Sequence, residues 1–205
     1  MKYTQIVFDV DGTLIDTEYA VLHSLQDTIL EVTGKKVGLE ELTFSLGITG
    51  SDGLTQLGVE DVTTALSIWE QKIALYKDYS KVFDTVVKLL NELTAKGCKL
   101  GIVTSKTRNE FANDFSVFGI DDYFSTIVCA DDTNEHKPNA EPLLKYMELA
   151  KCRKEEVLYV GDSIYDMKCA MNANVDFALA GWGAKNRVDA PVICNTPLDI
   201  VNKLI

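Results

Sequence analysis

From residue 82 onward, short apolar, β-branched runs alternate with segments whose apolar residues recur at helical spacing. The runs lie at residues 100–103, 126–128, 157–160 and 175–179, and residues 6–8 open the chain in the same style. So few polar residues in each run point to strands covered on both faces, as in a parallel sheet. Between them, Val82, Val86, Leu89, Leu90 and Leu93 trace one helical stripe that Gly97 stops. Phe111, Phe115 and Phe118 trace a second, ended by Gly119; Leu143, Leu144 and Met147 a third; Ile164, Met167 and Met171 a fourth. Residues 191–193 read as a last short strand and residues 197–205 as a closing helix. This alternation predicts an α/β fold, a doubly wound parallel sheet with right-handed crossovers.

Residues 17–80 break the rhythm. Val21, Leu25, Ile29 and Val32 form one helical stripe that Gly34 ends, and Val62, Leu66, Trp69, Ile73 and Tyr76 form another. A glycine-rich loop, residues 47–53, sits between them, and no strand pattern interrupts the block. The expected organisation is therefore a core of residues 1–15 and 82–205 carrying an inserted α-helical domain of residues 16–81, joined by hinges near residues 14–18 and 79–83.

Composition narrows the partners. Asp and Glu number 31 against 20 Lys and Arg, a formal charge of −11, which repels nucleic acid and anionic membranes. The three arginines, Arg108, Arg153 and Arg187, are too few to line a phosphate groove. The five cysteines include no C-x-x-C pair, which argues against a disulfide framework or a zinc site and for buried thiols in a reducing compartment. No apolar run reaches the roughly 18 residues of a membrane span. The first apolar stretch meets Asp9 after three residues, unlike a signal peptide. A cytoplasmic protein is expected, a monomer or weak homodimer.

The chemistry collects just after the strands, where open α/β sheets bind ligands. Asp9 and Asp11 follow the first run, with Gly12 allowing a sharp turn. Thr104 and Ser105 follow residues 100–103, Lys137 precedes Pro138 after the next strand, and Asp162 and Asp166 follow residues 157–160. Taken singly, each has an ordinary explanation: an Asp-capped turn, a hydroxyl N-cap, a solvated loop lysine, an acidic helix start. Together they place four carboxylates, two hydroxyls and one ammonium at one sheet edge. Carboxylates that close need a cation between them, and oxygen ligands without His or Cys favour Mg²⁺.

In this order and on these strands, the residues resemble the four motifs of the haloacid dehalogenase superfamily of phosphohydrolases. The likeness runs through Asp9-Val10-Asp11-Gly12-Thr13, Thr104-Ser105, Lys137-Pro138 and Gly161-Asp162 to Asp166, covering essentially the whole chain. The helical insert is similar to the family's type I cap, and Leu14-Ile15-Asp16-Thr17 resembles the phosphoglycolate phosphatase-like members. The resemblance implies Asp9 as nucleophile forming an aspartyl-phosphate, and Asp11 as the acid and base that serve leaving group and water. It implies Gly12, Thr104, Ser105 and Lys137 around the phosphoryl oxygens, with N–H groups donated near Gly12 and Ser105. It also implies Mg²⁺ on Asp9, the Asp11 carbonyl and Asp162, with Asp166 behind.

The substrate implied is a small phosphorylated metabolite. Between Thr17 and Ser80 the insert holds ten acidic residues against Lys35, Lys36, Lys72 and Lys77, which disfavours a polyanionic leaving group unless one lysine turns inward. Its glycine-rich loop is the expected substrate contact. His23, Trp69, Trp182 and Arg108 read as structural or solvated residues. A sugar-phosphate mutase of the same superfamily and a pyrophosphatase are the rival activities. A phosphonate hydrolase is disfavoured by Asp11, a dehalogenase by Asp11, Asp162 and Asp166, and a non-enzymatic phosphate-binding module by the complete residue set.

Overall fold

The computed structural model describes residues 2–185 and 188–205; Arg187 of the arginine inventory lies outside them. The chain opens with β1 (Gln5–Phe8) and a short β2 (Ile15–Asp16). It then runs through α1 (Glu18–Thr33), α2 (Leu39–Leu42), α3 (Gly50–Gln56) and α4 (Val62–Ile73) and returns at β3 (Lys81–Val82). Next come α5 (Val86–Ala95), β4 (Lys99–Val103), α6 (Arg108–Asp114), β5 (Phe124–Val128) and α7 (Glu141–Ala150). Finally β6 (Val157–Gly161), α8 (Ile164–Ala173), β7 (Asp176–Ala180), β8 (Ile193–Cys194) and α9 (Asp199–Leu204) complete the fold.

Six strands pair in parallel in the order β5-β4-β1-β6-β7-β8. The α/β fold expected from the alternation is thus present, with helices on both faces. Ile6 and Phe8 face one core with the α5 residues Leu89, Leu90 and Leu93; Val7 faces the other with Leu143 and Tyr146 of α7 and Cys169 of α8. Strand order reverses at β1, and the register sets Phe8 beside both Ile102 and Val160. Residues leaving β1, β4 and β6 therefore emerge side by side, which is where such sheets bind ligands.

The insertion carries its own small core, in which Leu22, Leu25 and Ile29 of α1 meet Leu42, Leu54 and Ala65. Its two connections pair with each other as an antiparallel ribbon, Ile15 with Val82 and Asp16 with Lys81. The boundaries expected from sequence fall across the middle of this ribbon.

Several expectations shift. Val82 belongs to the ribbon, so the helix starts at Val86, and α4 stops at Ile73 before Tyr76. The second stripe breaks after Asp114 into a 3₁₀ turn, Ser116–Phe118. Residues 47–53 are not one loop: Thr49 caps α3 by accepting the Asp52 N–H at 3.2 Å, so Gly50 to Gly53 form a helical turn. The terminal strand and helix are shorter than expected, Ile193–Cys194 and Asp199–Leu204. Four of the cysteines are buried. Among the described residues no helix is long and apolar enough to cross a membrane.

Candidate active site

Asp9 is the first residue beyond β1, and its N–H donates to Val160 O at 2.9 Å, which pins it against β6. Val10 turns into the core, and the chain folds back so that the Leu14 and Ile15 N–H groups both reach Val10 O. This compact loop uses the Gly12 N–H on Ile15 O at 2.8 Å, which corrects the expectation that it serves a phosphate. Gly12 does something else. At φ 74° it adopts the left-handed region, and a Cβ there would lie 2.3 Å from Asp162 Oδ2. Glycine is what lets the loop and the Asp162 carboxylate approach. Trp182 steadies the same loop by donating Nε1–H to Thr13 O at 2.9 Å.

Lys137 is buried at the centre. Its Nζ donates to Asp9 Oδ1 at 2.6 Å and Asp166 Oδ1 at 2.8 Å, with the Tyr159 hydroxyl at 3.3 Å. Asp166 is saturated. Its Oδ1 also meets the Tyr159 hydroxyl at 2.8 Å, while Oδ2 accepts from Ser163 N–H and Oγ–H at 3.1 and 2.6 Å. It is both the third residue of a capping box and a site residue, so the ordinary helix-start reading and the functional one are both fulfilled.

Asp9 Oδ2 is buried and has no partner among the described residues, an expensive state for a carboxylate oxygen unless a ligand meets it. Carboxylate oxygens of Asp9, Asp162 and Asp166 lie within 4.8 Å of one another. Burial pushes the Asp9 carboxyl up to about 7; Lys137 opposes the rise and Asp166 and Asp11 add to it. Desolvation, then Asp166 and Asp9, also raises Asp162 well above the carboxylate range. Burial works against the Lys137 charge, but Asp166 and Asp9 more than offset it and hold the ammonium above its usual value. One ammonium faces three carboxylates, so the donor set fits a hard divalent cation. With Asp166 fully engaged, Asp9 and Asp162 are the side chains left to hold it.

Asp11 points to the other side of the same loop. Its Oδ1 accepts from Thr17 Oγ–H at 2.6 Å and stands 3.4 Å from Lys106 Nζ, which also pairs with Asp114 at 3.0 Å. Thr104 is buried beside it, its Oγ accepting the Lys106 N–H at 3.2 Å. Ser105 uses its hydroxyl differently from the expectation of a phosphate donor. It donates to the Gly47 carbonyl of the insertion at 3.0 Å, because the insertion reaches the core there. Gly47 has φ 92° and a Cβ on it would sit 2.8 Å from Ser163 Oγ, so the contact also depends on a missing side chain.

Two site residues were absent from the sequence reading. Lys106 and Tyr159 are buried and touch Asp11 and Asp166 respectively. Tyr159 had a signal, since a tyrosine on a strand covered on both faces must find a partner for its hydroxyl. Lys106 had none beyond its place after Thr104 and Ser105. Residues given no catalytic role from the sequence lie elsewhere: His23 stacks on Tyr19 with centroids 3.8 Å apart, Arg108 pairs with Asp132, and Arg153 pairs with Glu156.

The fold and site together define a class: a doubly wound α/β protein with an acidic, lysine-centred strand-end site and a helical insertion above it. The chain belongs to the haloacid dehalogenase-like hydrolases, whose family model matches residues 6–180. It is 35% identical over 89% of its length to a Caldanaerobacter subterraneus protein provisionally named pyrophosphatase PpaX, covering 83% of that relative. It is 33% identical to pyrophosphatase PpaX of Halalkalibacterium halodurans, over 90% of this chain and 86% of the other. Its fold is similar to that of a Lactobacillus plantarum protein provisionally assigned as a phosphoglycolate phosphatase. That likeness has a TM-score of 0.89 and 28% identity, with 98% and 99% of the two chains covered.

Proposed function

We propose that this hydrolase is a Mg²⁺-dependent phosphatase that cleaves a small phosphate monoester through an aspartyl-phosphate on Asp9. The observation that carries the reading is the Asp9 carboxylate itself: Oδ1 is fixed by Lys137, and Oδ2 is buried, unpartnered and beside the cavity. Asp9 Oδ2 attacks phosphorus, the P–O bond to the leaving group breaks, and Asp11 donates a proton to the departing oxygen. Asp11 then takes a proton from the water that attacks the phosphorylated Asp9, which releases phosphate and restores the carboxylate. Thr17 and Lys106 orient Asp11 for both transfers.

Thr104 and Lys137 bind the phosphoryl oxygens, together with the Ser105 main-chain N–H. Gly12 contributes clearance. Asp9, Asp162 and the Asp11 carbonyl would hold Mg²⁺, which when bound screens the repulsion between carboxylate and phosphate and orients both. Asp166, behind them, fixes Lys137. Residues 16–81 act as a cap that closes on the ribbon of β2 and β3 and excludes water from the reacting centre.

Likeness to proteins named pyrophosphatase supports a second reading, in which the leaving group is phosphate and the same steps apply. Phosphate release from p-nitrophenyl phosphate tests the shared mechanism. Activity should require Mg²⁺, vanish with EDTA, and fall at least about a thousandfold in Asp9→Asn. Turnover that survives either treatment contradicts it.

A further inference from the structure

A cavity of about 250 Å³ opens between the insertion and the sheet edge, with Asp9 and Asp11 in its lining. Its outer wall is apolar. Val21, Ile48 and Ile73 line it, and none of the three belongs to a packed core among the described residues. Trp69 adds its ring, locked by Nε1–H donating to Ser24 Oγ at 2.8 Å. Branched aliphatic side chains held out of every core and turned onto one cavity are unfavourable in water, and become favourable when an apolar surface covers them.

The charges of the same wall point the same way. Beyond Asp9 and Asp11, Glu70, Glu110 and Asp114 line the cavity against Lys77 and Lys106. Lys106 and its partners Asp11 and Asp114 offset one another, so among the described residues Glu70 and Glu110 face Lys77, exposed on the insertion. A second anionic group on the substrate would meet a net negative wall and trade its hydration for aliphatic carbon. A neutral group meets no such penalty. The volume suffices for a ring, because an aliphatic cavity of roughly 150 Å³ already holds benzene.

We propose that this cavity selects phosphate esters whose leaving group is uncharged and presents a ring-sized apolar face. It selects against leaving groups that carry a carboxylate or a second phosphate. Ile48, Ile73 and Trp69 determine that specificity. The catalytic half of the statement rests on the phosphatase reading; the binding half does not.

The test compares kcat/KM for phenyl phosphate, 2-phosphoglycolate and pyrophosphate at equal free Mg²⁺, using the full chain. Phenyl phosphate should lead both anionic substrates by at least about tenfold. Ile48→Lys should lower its kcat/KM and raise that for pyrophosphate, and Ile73→Lys, on a different element, should do the same even if the loop variant folds poorly. In parallel, calorimetry with Mg²⁺ present measures binding of phenylphosphonate and methylenediphosphonate, neither of which is hydrolysed. Phenylphosphonate should bind about tenfold more tightly. Preference for pyrophosphate or 2-phosphoglycolate, or tighter binding of the diphosphonate, overturns the proposal. Lack of turnover with all three substrates overturns the phosphatase reading instead, and the order of the two phosphonates still decides what the cavity prefers.

Discussion

Lys137 balances two carboxylates, Asp9 and Asp166, from separate chain segments with a single ammonium, and all three groups are shielded from solvent. Removing one partner of such an assembly leaves the others charged and unpaired, a larger penalty than the net worth of the intact group. Lys137→Met should therefore cost about 3 kcal/mol of stability near pH 8. The cost should shrink toward pH 5, where the abandoned carboxylates take up protons. Urea denaturation at both values checks this; a loss under about 1 kcal/mol at pH 8 would contradict the central place given to the ammonium. Lys106 differs in kind. Burial works against its charge, Asp11 and Asp114 more than offset that, and its ammonium is held above the usual value. It orients Asp11 without touching Asp9.

At the level of elements, the loop after β1 sets how closely Gly12 approaches the Asp162 carboxylate, and with it whether the proposed nucleophile and cation ligands can coexist. Gly12→Ala would force a side chain into a left-handed backbone, costing about 1 kcal/mol, and into the Asp162 carboxylate. Mg²⁺-dependent stabilisation and activity should both be lost, the first read by thermal melting in a Mg²⁺ titration. An unchanged titration would show that Asp162 does not need that clearance. This dependence was half legible in the sequence. The sequence places a turn at Gly12, but the turn's own hydrogen bonds, which consume its N–H, depend on how residues 10–15 fold back. The strands were legible because apolar runs covered on both faces have few alternatives, and the register of β1 with β4 and β6 then brings Asp9, Thr104 and Asp162 to one edge. Val82 was misread because a ribbon pairing between residues 67 positions apart leaves no local periodicity, and α6 ran short where Phe115 leaves the helix. Ser105 looked like a phosphate donor because its true acceptor, Gly47 O, lies in the insertion, beyond what local spacing reports.

For the whole molecule, the proposed cation, the proton and the fold draw on the same oxygens. The Asp9 carboxyl is raised from 3.8 to about 7, so without a cation the folded protein binds more protons than the unfolded chain between those values. Stability in EDTA should accordingly gain from this group as pH falls from about 8 toward 5. Mg²⁺ needs the ionised form, so its stabilising effect is full above the raised value and is lost as pH falls through it. The difference between melting temperatures with Mg²⁺ and with EDTA should be largest near pH 8 and small near pH 5.5. A difference that stays constant across that range would detach the cation from Asp9. The insertion adds the other global property. It meets the core at Ser105 and Ser163 and shares the ribbon with it, so the walls of the cavity come from both halves of the chain.

The claim on which the rest depends is that Asp9 carries the phosphoryl group between the two half-reactions. Borohydride reduces an acyl phosphate to the alcohol, so enzyme quenched while turning over p-nitrophenyl phosphate with Mg²⁺ should carry homoserine at position 9, found by peptide mass mapping. The change should be absent with EDTA and in Asp9→Asn. Steady phosphate release with an unmodified Asp9, or with the modification at another carboxylate, would contradict the account.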